Sequence, residues 1–298
     1  MSQKSRIFDL ENFTQLAQAL EISEFELFKN AYRSNAEYTI FKKKKCAQTY
    51  RTIAVPPDGL KEVQKKIVQK ILDTIPLASE CTGYRSGLSI VANVTPHCGR
   101  SFVFSTDIEN FFESITSERV VEFFLRLGFS FPLASVLASL TTYNGTLPIG
   151  APSSPALANL ICFPLDSELA DYATSKNWNY TRYGDDLTFS GDTRFSLQDM
   201  RIISDIVESE GFSLNIQKTR FTRRNDTQVV SGLVVNEKPN LPRAKRRMIR
   251  AIFHQAKHFP ERFKDRTREL ENHVGQLTML AGQSEEVLKY KAIINSLV

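Results

Sequence analysis

The stretch Asn179-Tyr-Thr-Arg-Tyr-Gly-Asp-Asp-Leu-Thr-Phe-Ser190 decides how the rest of this chain is read. On both sides of Gly184, apolar and polar residues alternate and favour β structure, which predicts two short strands joined by a tight turn. Asp185 and Asp186 then sit side by side at that turn. Adjacent carboxylates that are partly withdrawn from water repel each other, and a bound cation relieves the repulsion. A solvated hairpin tip is the competing reading, since Asp and Gly are ordinary turn residues. The remainder of the sequence has to decide between them.

Working outward, Ser101 to Thr106 places Phe102 and Phe104 on one face of a strand that ends at Asp107. If that strand neighbours the pair around Gly184, three carboxylates meet at one spot. Hard oxygen ligands of this kind suit Mg²⁺, completed by waters and substrate phosphates. Two such ions roughly 4 Å apart clamp the attacking and leaving oxygens of an in-line phosphoryl transfer. The carboxylates therefore predict nucleotidyl-transfer or phosphodiesterase chemistry. Leu147-Pro-Ile-Gly-Ala-Pro-Ser-Ser-Pro155 is small and kinked, so its backbone, above all Gly150, Ala151 and Pro152, can approach a nucleotide closely. Phe111 and Phe112 are candidates to stack beneath its sugar, although an aromatic pair is more often core.

The 298-residue chain can bury a real core. No apolar run is long enough to span a bilayer, and Met1 to Phe13 lacks the apolar stretch of a secretory signal. No membrane partner and a cytoplasmic location are the expectation. Cys46, Cys81, Cys98 and Cys162 form no short pair, which argues against zinc ribbons and disulfide scaffolds and for isolated buried thiols. His254 and His258 have the spacing for a metal on one helix face, but no acidic residue lies between them and their surroundings are basic. The net charge of +5 is modest, yet its distribution is uneven. Arg243, Lys245, Arg246, Arg247 and Arg250 belong to a long basic stretch between Lys218 and Arg268 whose only acids are Asp226, Glu237, Glu261 and Asp265. Lys42 to Lys45, close to Arg51, form a second cluster. Two basic regions flanking an acidic site are the footprint of a nucleic-acid backbone.

Helical spacing predicts helices over most of residues 1–50 and from Leu60 to Ile75. Further helices are expected after a Ser117 cap, with a stop at Gly128, and after a Ser154 cap with Pro155 at the first position. Pro164 should kink or split that second helix. A helix over Leu197 to Glu210 ends at Gly211; Val229 to Val235 reads as β-like; Pro242 onward reads as helices. The plan is α+β with an antiparallel-leaning sheet.

In order, Ser105-Thr-Asp107-Ile-Glu-Asn-Phe-Phe112, Gly150-Ala-Pro-Ser-Ser-Pro155, Tyr183-Gly-Asp-Asp186 and Gly211-Phe-Ser-Leu-Asn-Ile-Gln-Lys218 resemble the successive A, B, C and D motifs of reverse transcriptases. Within that superfamily the chain resembles bacterial retron reverse transcriptases over roughly residues 50–245. Arg51 to Lys61 and Gly83 to Ile90 are similar to two fingers motifs. Asn93-Val-Thr-Pro-His97 matches the retron Asn-Ala-x-x-His element except at Val94, and Val230-Ser231-Gly232 stands where retron enzymes carry Val-Thr-Gly. Three further residues depart from the family. Gly184 replaces the usual Ala, where either small residue is expected to fit; Ile149 replaces a Gln that precedes Gly150; and Pro164 interrupts the following helix.

The resemblance implies a right-hand polymerase. It would have an N-terminal helical extension (1–50), fingers (51–100 and 118–149), a palm (101–117 and 150–240) and a basic helical thumb (241–298). It implies two Mg²⁺ ions held by Asp107, Asp185, Asp186 and the Ile108 carbonyl, with Lys218 protonating the leaving pyrophosphate and Arg85 on the triphosphate. Asn93, His97 and Val230 to Gly232 would read a cognate structured RNA, and the basic thumb would grip it. Implied partners are dNTPs, the retron non-coding RNA and its RNA–DNA hybrid, a separate effector in anti-phage defence, and a host RNase H. Alternatives are a group II intron or other bacterial reverse transcriptase, and a non-catalytic RNA-binding scaffold that controls an effector.

Overall fold

The computed structural model describes residues 10–33, 37–44 and 50–297. Lys45 and Cys46, and the first nine residues of the expected N-terminal extension, lie outside the described residues. Helices α1 (Phe13–Ala19) and α2 (Glu24–Arg33) come first, α1 capped by the Asn12 side chain. Strands β1 (Thr39–Lys44) and β2 (Tyr50–Val55) then pair antiparallel, Lys42 opposite Thr52. This corrects the expectation of helix up to residue 50. Thr39, Ile40 and Phe41 are β-formers, and pairing with β2 overrides any helical spacing.

Helix α3 (Asp58–Lys70) buries Leu60, Val63 and Ile67 and gives way to a 3-10 turn at Leu72–Thr74. The short α4 (Ile90–Val94) precedes β3 (Phe102–Asp107). Helix α5 (Ser117–Arg126) is capped by Thr116 rather than Ser117, because the Thr116 hydroxyl is the one that reaches a free helix amide, that of Arg119. After α6 (Phe131–Thr141) comes α7 (Ser154–Ile161), whose cap position is Ser153 rather than Ser154. Pro164 does split this helix: α7 stops at Ile161 and α8 (Phe163–Ser175) restarts with the proline in its first turn, where its missing N–H costs nothing.

Strands β4 (Asn179–Tyr183) and β5 (Asp186–Gly191) flank Gly184 as expected. Helix α9 (Leu197–Ser209) carries a capping box between Ser196 and Asp199 and ends before Gly211 at φ +74°. Strand β6 (Arg220–Arg223) completes an antiparallel sheet in the order β4-β5-β3-β6. Residues 229–235, expected to be β-like, fold into a hairpin of β7 (Val229–Val230) and β8 (Leu233–Val234). Ser231 and Gly232 both take positive φ and turn the chain there. Helices α10 (Arg243–His258), α11 (Thr267–Ala281) and α12 (Glu285–Asn295) end the molecule.

Among the described residues there are two hydrophobic cores. The larger joins the sheet face that carries Phe102, Phe104 and Phe189 to the helices around it. The second unites α10, α11 and α12 with Val230, Leu233 and Val235 of the hairpin and with Val94 and Val103. The C-terminal helices are thus anchored through the hairpin to the back of β3.

Candidate active site

Strand β3 lies between β5 and β6, and its register pairs Asp107 with Asp186. The amide of Ile108 donates to the Asp185 carbonyl at 2.8 Å, so the ladder continues into the turn. This brings ligand oxygens of Asp107, Asp185 and Asp186 within 4.8 Å of one another, each side chain partly exposed. Among the described residues it is the group in which three potential metal ligands converge. The His254 and His258 rings lie 4.5 Å apart and tilted on α10, and they belong to no such group among the described residues.

Electrostatics mark the cluster as incomplete. Burial, then the charges of Asp185 and Asp107, push the Asp186 carboxyl up to about 6, with Lys218 pulling the other way. The Lys218 ammonium is bonded to Asp107 Oδ2. Burial disfavours its charge, but the bond to Asp107 and the fields of Asp185 and Asp186 outweigh this and raise its pKa. Lys218 is held by a 3-10 turn (Ile216–Lys218) that follows α9, and the Asn215 amide beside it donates to the Asp107 carbonyl at 2.7 Å. A single ammonium faces three carboxylates, so the site has room for more positive charge. An all-oxygen donor set carrying more negative charge than its neighbours neutralise is what a hard divalent cation requires.

Asp185 and Lys218 open onto a cleft of about 290 Å³ that they line with Arg51, Tyr84, Ile108, Phe111, Phe112 and Ile149, among others. Phe111 is core, only 4% exposed, and supports Phe112 edge-on at 5.2 Å. Phe112 is half-buried and, with Tyr84 at 6.4 Å, forms an aromatic floor. Gly150 adopts φ +117°, and a Cβ there would lie 2.9 Å from the Ala54 carbonyl. Its loop is fastened to β2 by the bond from the Ala54 amide to the Ile149 carbonyl, 2.8 Å. Ile149 therefore faces the cleft while Ala151 is buried and Pro152 half-buried behind it.

The structure does not bring Arg85 into this cleft. Its guanidinium donates to the Ala78 carbonyl at 3.2 Å and lines a separate hollow with Asp73 and Asn159. The cation that joins Lys218 in the cleft is Arg51, which the sequence puts in a fingers motif beside the Lys42–Lys45 cluster without a place in the site; its position opposite the Gly150 loop was the missing signal. Nor are Ala and Gly equivalent at 184. Gly184 sits at φ +64°, and a Cβ would meet the Tyr84 ring at 2.9 Å.

The elements expected to read RNA meet each other. Asn93 Nδ2 donates to the Ser231 hydroxyl at 3.0 Å, and Asn93 Oδ1 accepts from the Thr82 hydroxyl at 2.7 Å. His97 is buried between the hydroxyls of Ser190 (2.7 Å) and Thr181 (2.8 Å). Burial, with Arg100 nearby, lowers its pKa to about 3, so it is a neutral framework residue. Asn93, His97 and Val230 have buried side chains; what this region exposes is the Ser231-Gly232 tip. On α10, Arg243, Arg247 and Arg250 are exposed, whereas Lys245 and Arg246 are half-buried. Cys81 and Cys162 are buried free thiols and Cys98 is half-buried.

With this geometry in view, the comparisons agree. A family model for reverse transcriptase (RNA-dependent DNA polymerase) matches residues 41–259. The chain is 36% identical over 249 residues to the Retron Ec86 reverse transcriptase of Escherichia coli, covering 82% of this chain and 78% of that one. It is 35% identical over 237 residues to the Retron Mx65 reverse transcriptase of Myxococcus xanthus, with 73% and 56% covered. To the Retron Mx162 reverse transcriptase of the same organism it is 30% identical over 288 residues, with 84% and 59% covered. The chain thus spans little more than half the length of the two Myxococcus relatives. It belongs to the reverse transcriptases, RNA-directed DNA polymerases, and among them to the bacterial retron type. No helix among the described residues is long and apolar enough to cross a membrane.

Proposed function

We propose that this enzyme binds its own structured non-coding RNA and begins DNA synthesis from a 2′-hydroxyl of that RNA, giving a branched RNA–DNA hybrid. The observation that carries the chemistry is the convergence of Asp107, Asp185 and Asp186 beside Lys218. These carboxylates, with the Ile108 carbonyl, would hold two Mg²⁺ ions. Bound there, divalent cations supply activation of the attacking hydroxyl and neutralisation of the departing pyrophosphate. Lys218, kept protonated by its acidic neighbours, donates a proton to the leaving group. Arg51 attracts the triphosphate across the cleft, and Phe112 with Tyr84 supports the sugar.

The β1–β2 pair and the helices around it serve as fingers, the four-stranded sheet as palm and α10 to α12 as thumb. Exposed Arg243, Arg247 and Arg250 grip the RNA and the hybrid. The Ser231-Gly232 tip is the exposed part of the RNA-reading element. A cytoplasmic place, a role in anti-phage defence through a separate effector, and RNA removal by a host RNase H rest on the family resemblance.

The test is expression with the native RNA locus, followed by a search for short DNA covalently attached to RNA. Loss of that DNA in Asp185→Asn is the expected result; its persistence would refute the mechanism. Priming only from free 3′ ends, with no branched product, would refute the retron type of initiation.

A further inference from the structure

Directly behind the carboxylate turn, one guanidinium gathers four segments of chain. Arg182 precedes Tyr183 on β4 and is 0% exposed. Its Nε and Nη2 donate as a fork to Oδ1 and Oδ2 of Asp166 on α8, at 2.8 and 2.6 Å. Nη1 donates to Asn159 Oδ1 on α7 at 3.0 Å and to the Gly184 carbonyl at 3.1 Å. Nη2 also reaches Cys81 Sγ at 3.3 Å. Asp166 takes the Tyr180 hydroxyl as well, and Asn159 donates onward to the Gly83 carbonyl at 2.8 Å.

A buried ion pair of this kind is a weak source of stability, because apolar side chains of similar volume often replace it without loss. Apolar side chains lack a donor aimed at the Gly184 carbonyl. Two successive carbonyls of the turn are tied inward, Gly184 to Arg182 and Asp185 to the Ile108 amide. Gly83 closes the back of the turn so tightly that a Cβ there would lie 2.6 Å from the Gly184 nitrogen. With both peptide planes held, the direction of the Asp185 Cα–Cβ bond is set, and its side chain lines the cleft.

We propose that Arg182, held by Asp166 and Asn159, is a positioning residue for nucleotidyl transfer: it fixes the Gly184 peptide and thereby the placement of Asp185 and Asp186 against Asp107. This rests on the reading that those carboxylates hold the divalent cations. Arg182 itself is buried beneath the turn and touches no reacting atom. Lysine at this position would keep a charge for Asp166 but lacks the planar fork that serves Asp166, Asn159 and Gly184 together.

The experiment measures dTTP incorporation on poly(rA)/oligo(dT) across a Mg²⁺ titration. It compares the full-length protein, Arg182→Lys and the double variant Arg182→Met/Asp166→Leu, each with its thermal melt and primer–template affinity. In both variants kcat should fall on the order of ten- to a hundredfold, the scale for a small misplacement of reacting groups. The half-saturating Mg²⁺ concentration should rise severalfold, with primer–template affinity unchanged. A packing role alone predicts a lower melting temperature with kcat and Mg²⁺ dependence as in the unmodified protein, and that result would overturn the proposal. Should Arg182→Lys fail to fold, the double variant decides. Failure of the double variant to fold also counts against the proposal, since the pair would then be a requirement of folding rather than of turn placement. The two readings fail separately. If the unmodified protein needs no divalent cation, or Asp185→Asn keeps its activity, the metal site is wrong. If those controls hold and Arg182→Lys behaves normally, only the positioning role is lost.

Discussion

Two sets of charges lie on opposite sides of one β-turn and are treated in opposite ways. On the outer side, Asp107, Asp185 and Asp186 crowd together with one lysine for company. On the inner side, Asp166 faces Arg182 in a bidentate pair whose remaining atoms are met by Tyr180, Asn159 and the Gly184 carbonyl. The inner charge carries its own counter-ion and a full set of hydrogen bonds, so it is inert. The outer charge is left in excess, which makes it a site for something that arrives from outside. Burial alone does not separate function from framework; satisfaction does.

That contrast can be broken most severely at its outer side. Asp185→Asn removes a ligand charge and should lower incorporation on the order of 10²- to 10³-fold, the scale for losing one electrostatic group from a reaction centre. Its melting temperature should stay level or rise, because a repulsion disappears. An active Asp185→Asn enzyme would remove the distinction between the two sides. At the inner side, Asp166→Leu alone should do the reverse and unfold the protein first. Leaving Arg182 buried without its counter-ion should cost about 3–5 kcal/mol in urea denaturation.

Gly184→Ala probes the turn between the two sides. Placing a Cβ at φ +64° should destabilise by about 1–2 kcal/mol, before any displacement of Tyr84 is counted. Replacing Tyr84 by Ser in the same chain should recover only the steric part.

The smallest effect is a pH dependence. The Asp186 carboxyl, raised to about 6 from an unfolded value near 3.8, binds its proton more tightly in the folded chain. Its contribution to stability is therefore fully present below about pH 4 and is lost as pH rises through 6. Metal-free protein should melt at a lower temperature at pH 7 than at pH 5 through this group, and Mg²⁺ should raise the melting temperature more at pH 7. Both differences should shrink in Asp186→Asn. Equal Mg²⁺ shifts at the two pH values would argue against cation binding at Asp186.

Much of this arrangement was legible in the chain. Alternation around Gly184 and the strand ending at Asp107 placed three carboxylates at strand ends, and Pro164 marked the break between α7 and α8. Other parts were not. Lys42 to Lys44 read as a basic cluster in a stretch expected to be helical, yet they lie on β1, whose strand character comes from pairing with β2. His97 looked like a candidate contact, and only the hydroxyls of Ser190 and Thr181, distant in sequence, show it to be a buried neutral ring. Arg85 and Arg51 exchanged prominence for the same reason. A cation's reach depends on where its segment is folded back, which local spacing does not encode.

By itself, then, the sequence determined the chemistry available at the turn: short-range alternation and residue type specify strands, a tight glycine turn and an excess of oxygen ligands. Only the tertiary structure decided which charges remain unsatisfied. Asp166 and Asp185 are the same side chain 19 positions apart, and no local pattern distinguishes them. The difference is that packing α8 against β4 gives one of them a buried guanidinium, while β-pairing gives the other two more carboxylates.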